Sequence, residues 1–549
     1  MHLRSLAKMA PLVTLLLVMV FSVSSSLFAQ GLPKDDPRVI KLQNEKYNTI
    51  VAEITAPADA IDYYVLGRAH LALKNTAKAS EVINAGIAAF ATFEMLNYLK
   101  MEYLLATGDT TKVRTEILYL MDEYSKEKVK IATLAGNAFV NAGFAKWDFM
   151  KEMIDEALKA KNADKSDELK ALLGDYYLAN NKGSDATRMY NDAKALNEKN
   201  MRALLGYADI YTKVKNEVAI EAYEAAIATD TMYAAAYRIF SEFLRREQII
   251  GMALLQYEKY LALSEKTQDK LRNYTSMLFL AKRYEDCIAA SREGLVFDAK
   301  NSEFVQRIAY SYYSLNKFEE ADKYFTEYFA LTSPEQYLTI DHEYYGKALV
   351  KQKKDPEAAV QFIKAMEKDT SRADLLTDLA GTYYRQKSYK LAHQTFNQKI
   401  SRGVTMSVNE YYFLGMAYFF DSLYTDAIGA YGKVIEGNPT FIPAYLFSAR
   451  AEANMDPESA LGKARPFYEK VIELALTDAE KNKGALIESY NYLGYFYYLQ
   501  FEADNKNADA QTKAKNYYNE LLKLDPNYEN AKIALKALNK AFTLKNPFS

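Results

Sequence analysis

An alanine followed four residues later by an aromatic ring recurs along this chain at nearly constant intervals, and that period constrains the fold more than any other feature. The markers are Ala186, Ala219, Ala253, Cys287, Ala321, Ala358, Ala392, Ala427, Ala464 and Ala514, spaced by 33, 34, 34, 34, 37, 34, 35, 37 and 50 residues. Four residues beyond them stand Tyr190, Tyr223, Tyr257, Ser291, Phe325, Phe362, Phe396, Tyr431, Tyr468 and Tyr518. Nine of these ten are aromatic in a chain that is 13% aromatic, which excludes coincidence. A repeat of this length means one structural unit stacked many times, because no single unit can bury its apolar face alone.

One copy, YYFLGMAYFFDSLYTDAIGAYGKVIEGNP at 411–439, reads as two helices. Tyr411, Leu414, Gly415 and Tyr418 form one stripe at helical spacing, and Ala427, Tyr431 and Val434 another. FDSLYTD between them is a short turn, and Asn438-Pro439 ends the second helix because the residue before proline is driven out of the helical region. Those residues fill, in register, the aromatic-x2-Leu-Gly-x2-Tyr, Ala-x3-Phe and Pro slots of a known motif, so the stretch resembles a tetratricopeptide repeat. Upstream, Tyr63, Leu66, Gly67 and Ala79 occupy the same slots. The resemblance implies an all-α fold, a right-handed α-α superhelical solenoid of tetratricopeptide-like helix pairs, about a dozen of them.

The expected organisation is a signal peptide at 1–29, an N-terminal capping helix within 30–60, partly degenerate pairs at 61–165, a tandem array at 166–527, and a capping helix with a tail at 528–549. Two degenerate pairs are expected between about 93 and 165, where the pattern weakens. The long last spacing is read as an insertion of EADNKNADAQTK between helices.

At the N-terminus, Arg4 and Lys8 precede an apolar run from Met9 to Phe21, followed by SVSSSLFAQ. This is the pattern of a secretory signal peptide cleaved after Ala29. The run is shorter than the roughly 20 residues a spanning helix needs, so no transmembrane segment is expected after cleavage. The expected location is the bacterial cell envelope, periplasmic or outer-membrane-associated. Cys287 is the only cysteine, so no intramolecular disulfide can form in that oxidising compartment, and packing alone must stabilise the fold.

Lys plus Arg number 69 against 71 Asp plus Glu, with no concentrated basic run, which argues against nucleic-acid binding. Neither GxxxxGK[ST], GxGxxG nor GxSxG occurs. His342-Glu343 begins like HExxH, but Tyr344, Tyr345 and Gly346 follow, so the second ligand is missing. His70, His342 and His393 all fall at or beside repeat slots, and Cys287 stands where other repeats carry alanine. No catalytic residue, cofactor or metal is therefore expected.

In the resembled family the inner groove is lined by first-helix positions. Carried over by register, these are Arg238, Glu242, Arg245, Arg246, Arg272, Tyr310, Tyr313, Lys347, Lys351, Asp378 and Arg385, then Tyr412, Met416, Phe419, Phe420, Asn491, Tyr495 and Tyr498. The groove would pass from basic to aromatic along its length. Tyrosine and arginine carry interface energy well, because they combine area with a polar handle. The expected role is a non-catalytic scaffold that binds a peptide, a helix or an envelope protein in its concave groove. The alternative is a structural component of an envelope assembly, a secretion or surface-organelle complex, that uses its convex face and ends.

Overall fold

The computed structural model describes residues 32–544 apart from Lys34, Asn162 and Lys215. The expected signal peptide lies outside the described residues. Among the described residues there are 29 α-helices and no strand. The chain divides into two compact units, 1–299 and 300–549, a division that falls inside the array expected over 166–527.

The first unit contains α1 (Pro37–Gln43), α2 (Tyr47–Glu53), α3 (Ala60–Ala72), α4 (Thr76–Ala89), α5 (Met95–Ala106) and α6 (Thr110–Glu123). It continues with α7 (Lys128–Asn141), α8 (Asp148–Ala157), α9 (Asp167–Ala179), α10 (Gly183–Leu196), α11 (Met201–Tyr211) and α12 (Asn216–Thr229). Its last helices are α13 (Ala234–Arg246), α14 (Ile250–Leu263), α15 (Gln268–Leu280) and α16 (Tyr284–Phe297). The second unit opens with α17 (Ser302–Ser314), α18 (Phe318–Leu331), α19 (Thr339–Lys351), α20 (Asp355–Lys368), α21 (Leu375–Arg385) and α22 (Tyr389–Ser401). It ends with α23 (Val408–Phe420), α24 (Tyr424–Gly437), α25 (Ile442–Met455), α26 (Arg465–Ala475), α27 (Lys483–Ala503), α28 (Ala508–Leu524) and α29 (Glu529–Leu544). Within each unit an odd-numbered helix packs on the even one that follows it, and most consecutive odd helices, α17, α19 and α21 among them, lie side by side. This is all-α solenoid stacking.

The marker alanines sit where paired helices cross, and Ala186, Ala253, Ala321, Ala358, Ala392 and Ala427 are fully buried. Twelve residues earlier, on the facing helix, seven of the ten markers have a small side chain: Gly174, Ser241, Thr275, Ala309, Gly346, Ala380 and Gly415. The aromatic ring after the marker needs that space. A Cβ built on Gly415 would stand 2.5 Å from Cε1 of Tyr431, far inside van der Waals contact. Where the slot holds serine, its hydroxyl is satisfied across the crossing: Ser241 Oγ donates to the Ala253 carbonyl at 2.6 Å. The Cys287 thiol does the same toward the Thr275 carbonyl at 3.3 Å.

The turns inside the pairs share one geometry. Lys74, Asn181, Gln248, Lys282, Asn316, Lys353, Lys387 and Ser422 each lie five residues before a marker and have φ of +58° to +62°. The next residue's N–H donates to the carbonyl five residues back at 2.8–3.0 Å, as in Asn75 to His70 and Leu423 to Tyr418. This six-to-one bond is the Schellman closure that satisfies a helix's last carbonyls.

Three expectations need correction. Residues 35–56 form a helix pair rather than one leading helix, because Glu45 with φ +54° breaks the run with the same turn. The weak region at 93–165 holds two pairs as expected, α5–α6 and α7–α8, with Val113 and Ile117, then Met150 and Ile154, fully buried in place of alanine and aromatic. EADNKNADAQTK is no loop insertion: only Asp504–Asn507 is non-helical, and the remainder lengthens α27 and α28. Ala464 caps the start of α26 instead of lying inside it. The loop before it is ordered by Asp456, whose carboxylate accepts the N–H groups of Ala460, Leu461 and Gly462 at 2.8–3.0 Å.

Candidate functional site

Positions 34 residues apart on successive odd helices face the same way, so a repeat position becomes a row across the odd-helix face. In the second unit one row is Tyr313, Lys347 and Gly381, and another ends in Lys351 and Arg385. Gly381 leaves a gap where its neighbours in the row carry long side chains. A Cβ there would touch only Nη1 of Arg385, at 3.5 Å. Around this gap lies a cavity of about 260 Å³ lined by Tyr313, Lys347, Val350, Lys351, Thr377, Asp378, Gly381 and Arg385.

The cavity wall is rigid on its aromatic side. Tyr313 stacks on Tyr344 with centroids 4.9 Å apart and meets the edge of Phe318 at 6.0 Å. The cationic side chains are held by carboxylates beside the cavity. Lys347 Nζ is 2.6 Å from Glu343 and 3.8 Å from Asp378, and Arg372 holds the other oxygen of Glu343 at 2.8 Å. Burial opposes the Lys347 charge, but the bond to Glu343 and the charges of Glu343 and Asp378 together outweigh it and raise the pKa. Burial raises the Asp378 pKa, with Lys347 only partly opposing it. Arg385 Nε reaches Asp355 at 2.8 Å. Among the described residues Lys351 forms no ion pair. The lining thus carries three cations and one carboxylate, with Glu343 and Asp355 beside it neutralising Lys347 and Arg385 and leaving Lys351 as the cation without an ion pair among the described residues.

Five residues expected in the groove, Tyr313, Lys347, Lys351, Asp378 and Arg385, thus converge here. Tyr310 does not: it is 5% exposed, and its phenol donates to Asp341 in the core. Asp341 also accepts from Tyr328 at 2.9 Å, Gln306 at 2.7 Å and the Leu338 N–H at 2.6 Å, so Tyr310 completes a buried network. Tyr412 and Phe419 are partly covered by the next pair, through Phe441 and Phe447 at 5.2 Å and 5.4 Å. Phe420 stacks on Tyr389 at 4.9 Å yet stays 45% exposed. Tyr495 is exposed and Tyr498 half-buried, both on α27 and outside the cavity.

In the first unit Arg238 is occupied by Glu45 and Glu242 at 3.3 Å and 3.1 Å. Arg245 and Arg246 are exposed at the end of α13, and Arg272 pairs with Asp269 at 3.4 Å. Sequence reading missed Val350, Thr377 and Gly381. The signal for Gly381 was present, as a glycine 34 residues beyond a lysine and 68 beyond a tyrosine in one row.

The residues weighed for chemistry are engaged in packing. His342 stacks on Phe329 at 4.8 Å, and His393 bonds Asp421 at 2.8 Å. Trp147 sits among Phe139, Phe144 and Phe149 at 5.1, 6.2 and 5.1 Å. Among the described residues no cluster of three potential metal ligands forms, and no helix is long and apolar enough to cross a membrane.

A family model described as tetratricopeptide repeat matches residues 302–333, the α17–α18 pair. A solved structure, the C-terminal part of a TPR repeat-containing protein from Cytophaga hutchinsonii, is 31% identical, covering 48% of this chain and 99% of that one at a TM-score of 0.39. A tetratricopeptide repeat protein from Parabacteroides merdae is 18% identical, covering 47% and 99% at a TM-score of 0.29. YrrB, described as a TPR protein with an unusual peptide-binding site, is 15% identical, covering 34% and 95% at 0.29. No curated protein matches.

Proposed function

The chain belongs to the tetratricopeptide repeat family, and from that premise we propose a non-catalytic scaffold that takes an acidic segment of a partner protein across α17, α19 and α21. The observation that carries this reading is the gap at Gly381, walled by an ordered tyrosine and by three cations. At about 260 Å³ the cavity is slightly smaller than the roughly 300–1,000 Å³ of small-molecule pockets. It suits one side chain of a peptide lying across the helices. Lys351, without an ion pair of its own, would meet that side chain's charge, and Tyr313 would supply contact area.

The basic-apolar-small pattern of the first 29 residues supports an exported protein of the bacterial cell envelope. The single buried thiol suits that compartment, since it leaves no thiol to oxidise at the surface.

Gly381→Leu tests the site without attacking the fold, because leucine replaces a helical glycine and fills only the gap. On an array of acidic, neutral and basic peptides, the native protein should favour acidic ones. The variant should lose at least about tenfold in affinity, or about 1.4 kcal/mol, with its melting temperature unchanged or raised. A variant that binds the same peptides equally well would move the function to the convex face or the ends, as in a structural assembly component.

A further inference from the structure

The α1–α2 hairpin attaches to the first unit by two unlike faces. One is apolar: Val39, Leu42 and Ile50 are buried in the core that also holds Tyr64, Val65 and Leu66 of α3. Among the described residues that core includes nothing from α13–α15. The other face is polar and reaches those helices across 193 to 217 residues of sequence.

Two carboxylates make that contact. Glu45, at the left-handed apex of the hairpin, lies 3.3 Å from Arg238 Nε on α13 and 3.3 Å from Lys270 Nζ on α15. It also accepts from the Tyr260 phenol on α14, and its side chain is 13% exposed. In return Glu265, between α14 and α15, accepts from the Asn48 N–H at 3.0 Å, the Asn48 amide at 3.3 Å and the Thr49 hydroxyl at 3.4 Å. Burial alone would raise the Glu45 pKa; Arg238 and Lys270 reverse this and lower it, so the carboxylate is charged in the closed contact.

Such a contact gains little by closing. Desolvating a carboxylate between two cations offsets much of their attraction. With no shared apolar core to oppose separation, the contact can break while both sides stay folded. We infer that the α1–α2 hairpin is a reversible polar clasp that closes the first unit on itself and covers Arg238 and Lys270 until it opens. It concerns residues apart from the Gly381 cavity and stands whether or not that cavity binds peptide.

Distance measurement on the full chain tests it. Ala52→Cys and Lys259→Cys place two exposed labelling sites on either side of the clasp. Cys287→Ala removes the native thiol with the residue other repeats carry there. Spin labels should give one narrow distance distribution in that background. Glu45→Gln combined with Glu265→Gln should at least double its width and shift it to longer distance, with helical circular dichroism unchanged. Glu45→Asp, charged but shorter, should fall between. An unchanged distribution in the double variant overturns the clasp. So does a loss of helicity that accompanies the broadening, because the hairpin would then belong to the folding core.

Discussion

Lys387 sits in left-handed backbone, φ +58°, at a position where the chain could have used glycine. A Cβ in that region costs about 1–2 kcal/mol, while glycine's greater freedom in the unfolded chain returns part of the difference. Lys387→Gly should therefore raise stability by about 0.5–1 kcal/mol, whereas Lys364→Gly, exposed inside α20, should lower it by about 1 kcal/mol. Paired thermal melts of the two variants check the opposite signs. The left-handed residue of these turns was invisible in the sequence because eight of them use lysine, asparagine, glutamine or serine, residues that surfaces tolerate anywhere. The helix crossings were legible for the contrary reason. A ring such as Tyr431 admits only the smallest neighbour, so steric exclusion writes Gly415 and Ala427 into the sequence. Tyr310 misled because its register position resembles that of groove residues, and only Asp341, 31 residues on, reveals what its hydroxyl is for.

The α23 helix begins with a reciprocal cap readable in SVNE: the Glu410 N–H donates to Ser407 Oγ at 3.2 Å, and Glu410 accepts the Ser407 N–H at 2.8 Å. Lys399 and Thr377 add donors to the same carboxylate. Burial would raise the Glu410 pKa, but those donors bring it down to about 2 from an ordinary 4.5. A depressed carboxylate pKa contributes stability that is fully present above the unfolded value and is lost as pH falls through the folded one. The window is thus from about pH 5 to about pH 2. Because the site is partly open to solvent, we discount the full linkage to about 1–2 kcal/mol. Glu410→Gln should be less stable than the native chain at pH 7 and equal to it near pH 2, as melts across that range would read. At this scale the regular pairs were legible, α5–α6 and α7–α8 were legible only as degenerate pairs, and α1–α2 passed for a single helix. Ile50, Val113 and Met150 fill the same crossings with aliphatic side chains, which preserves volume while erasing the alanine-aromatic signature.

Across the whole chain, periodicity carried the architecture, since stacked repeats each restate the same packing solution. It could not carry the site with equal force. Register named Tyr313, Lys347, Lys351 and Arg385, but the cavity exists because of what Gly381 lacks, and a hole has no side chain to notice. Nor could register show that Arg238 is already held by Glu45, because a contact spanning 193 residues leaves no local trace. The sole cysteine has a use that none of these features shares. Cys287 is fully buried at the α15–α16 crossing, its thiol turned to the Thr275 carbonyl. A reagent reaches it only when that one pair parts, which makes the native chain its own stopwatch for local opening. Under native conditions alkylation should run roughly a hundredfold or more slower than in denaturant. A thiol that reacts at the same speed in both would mean that this crossing does not stay shut.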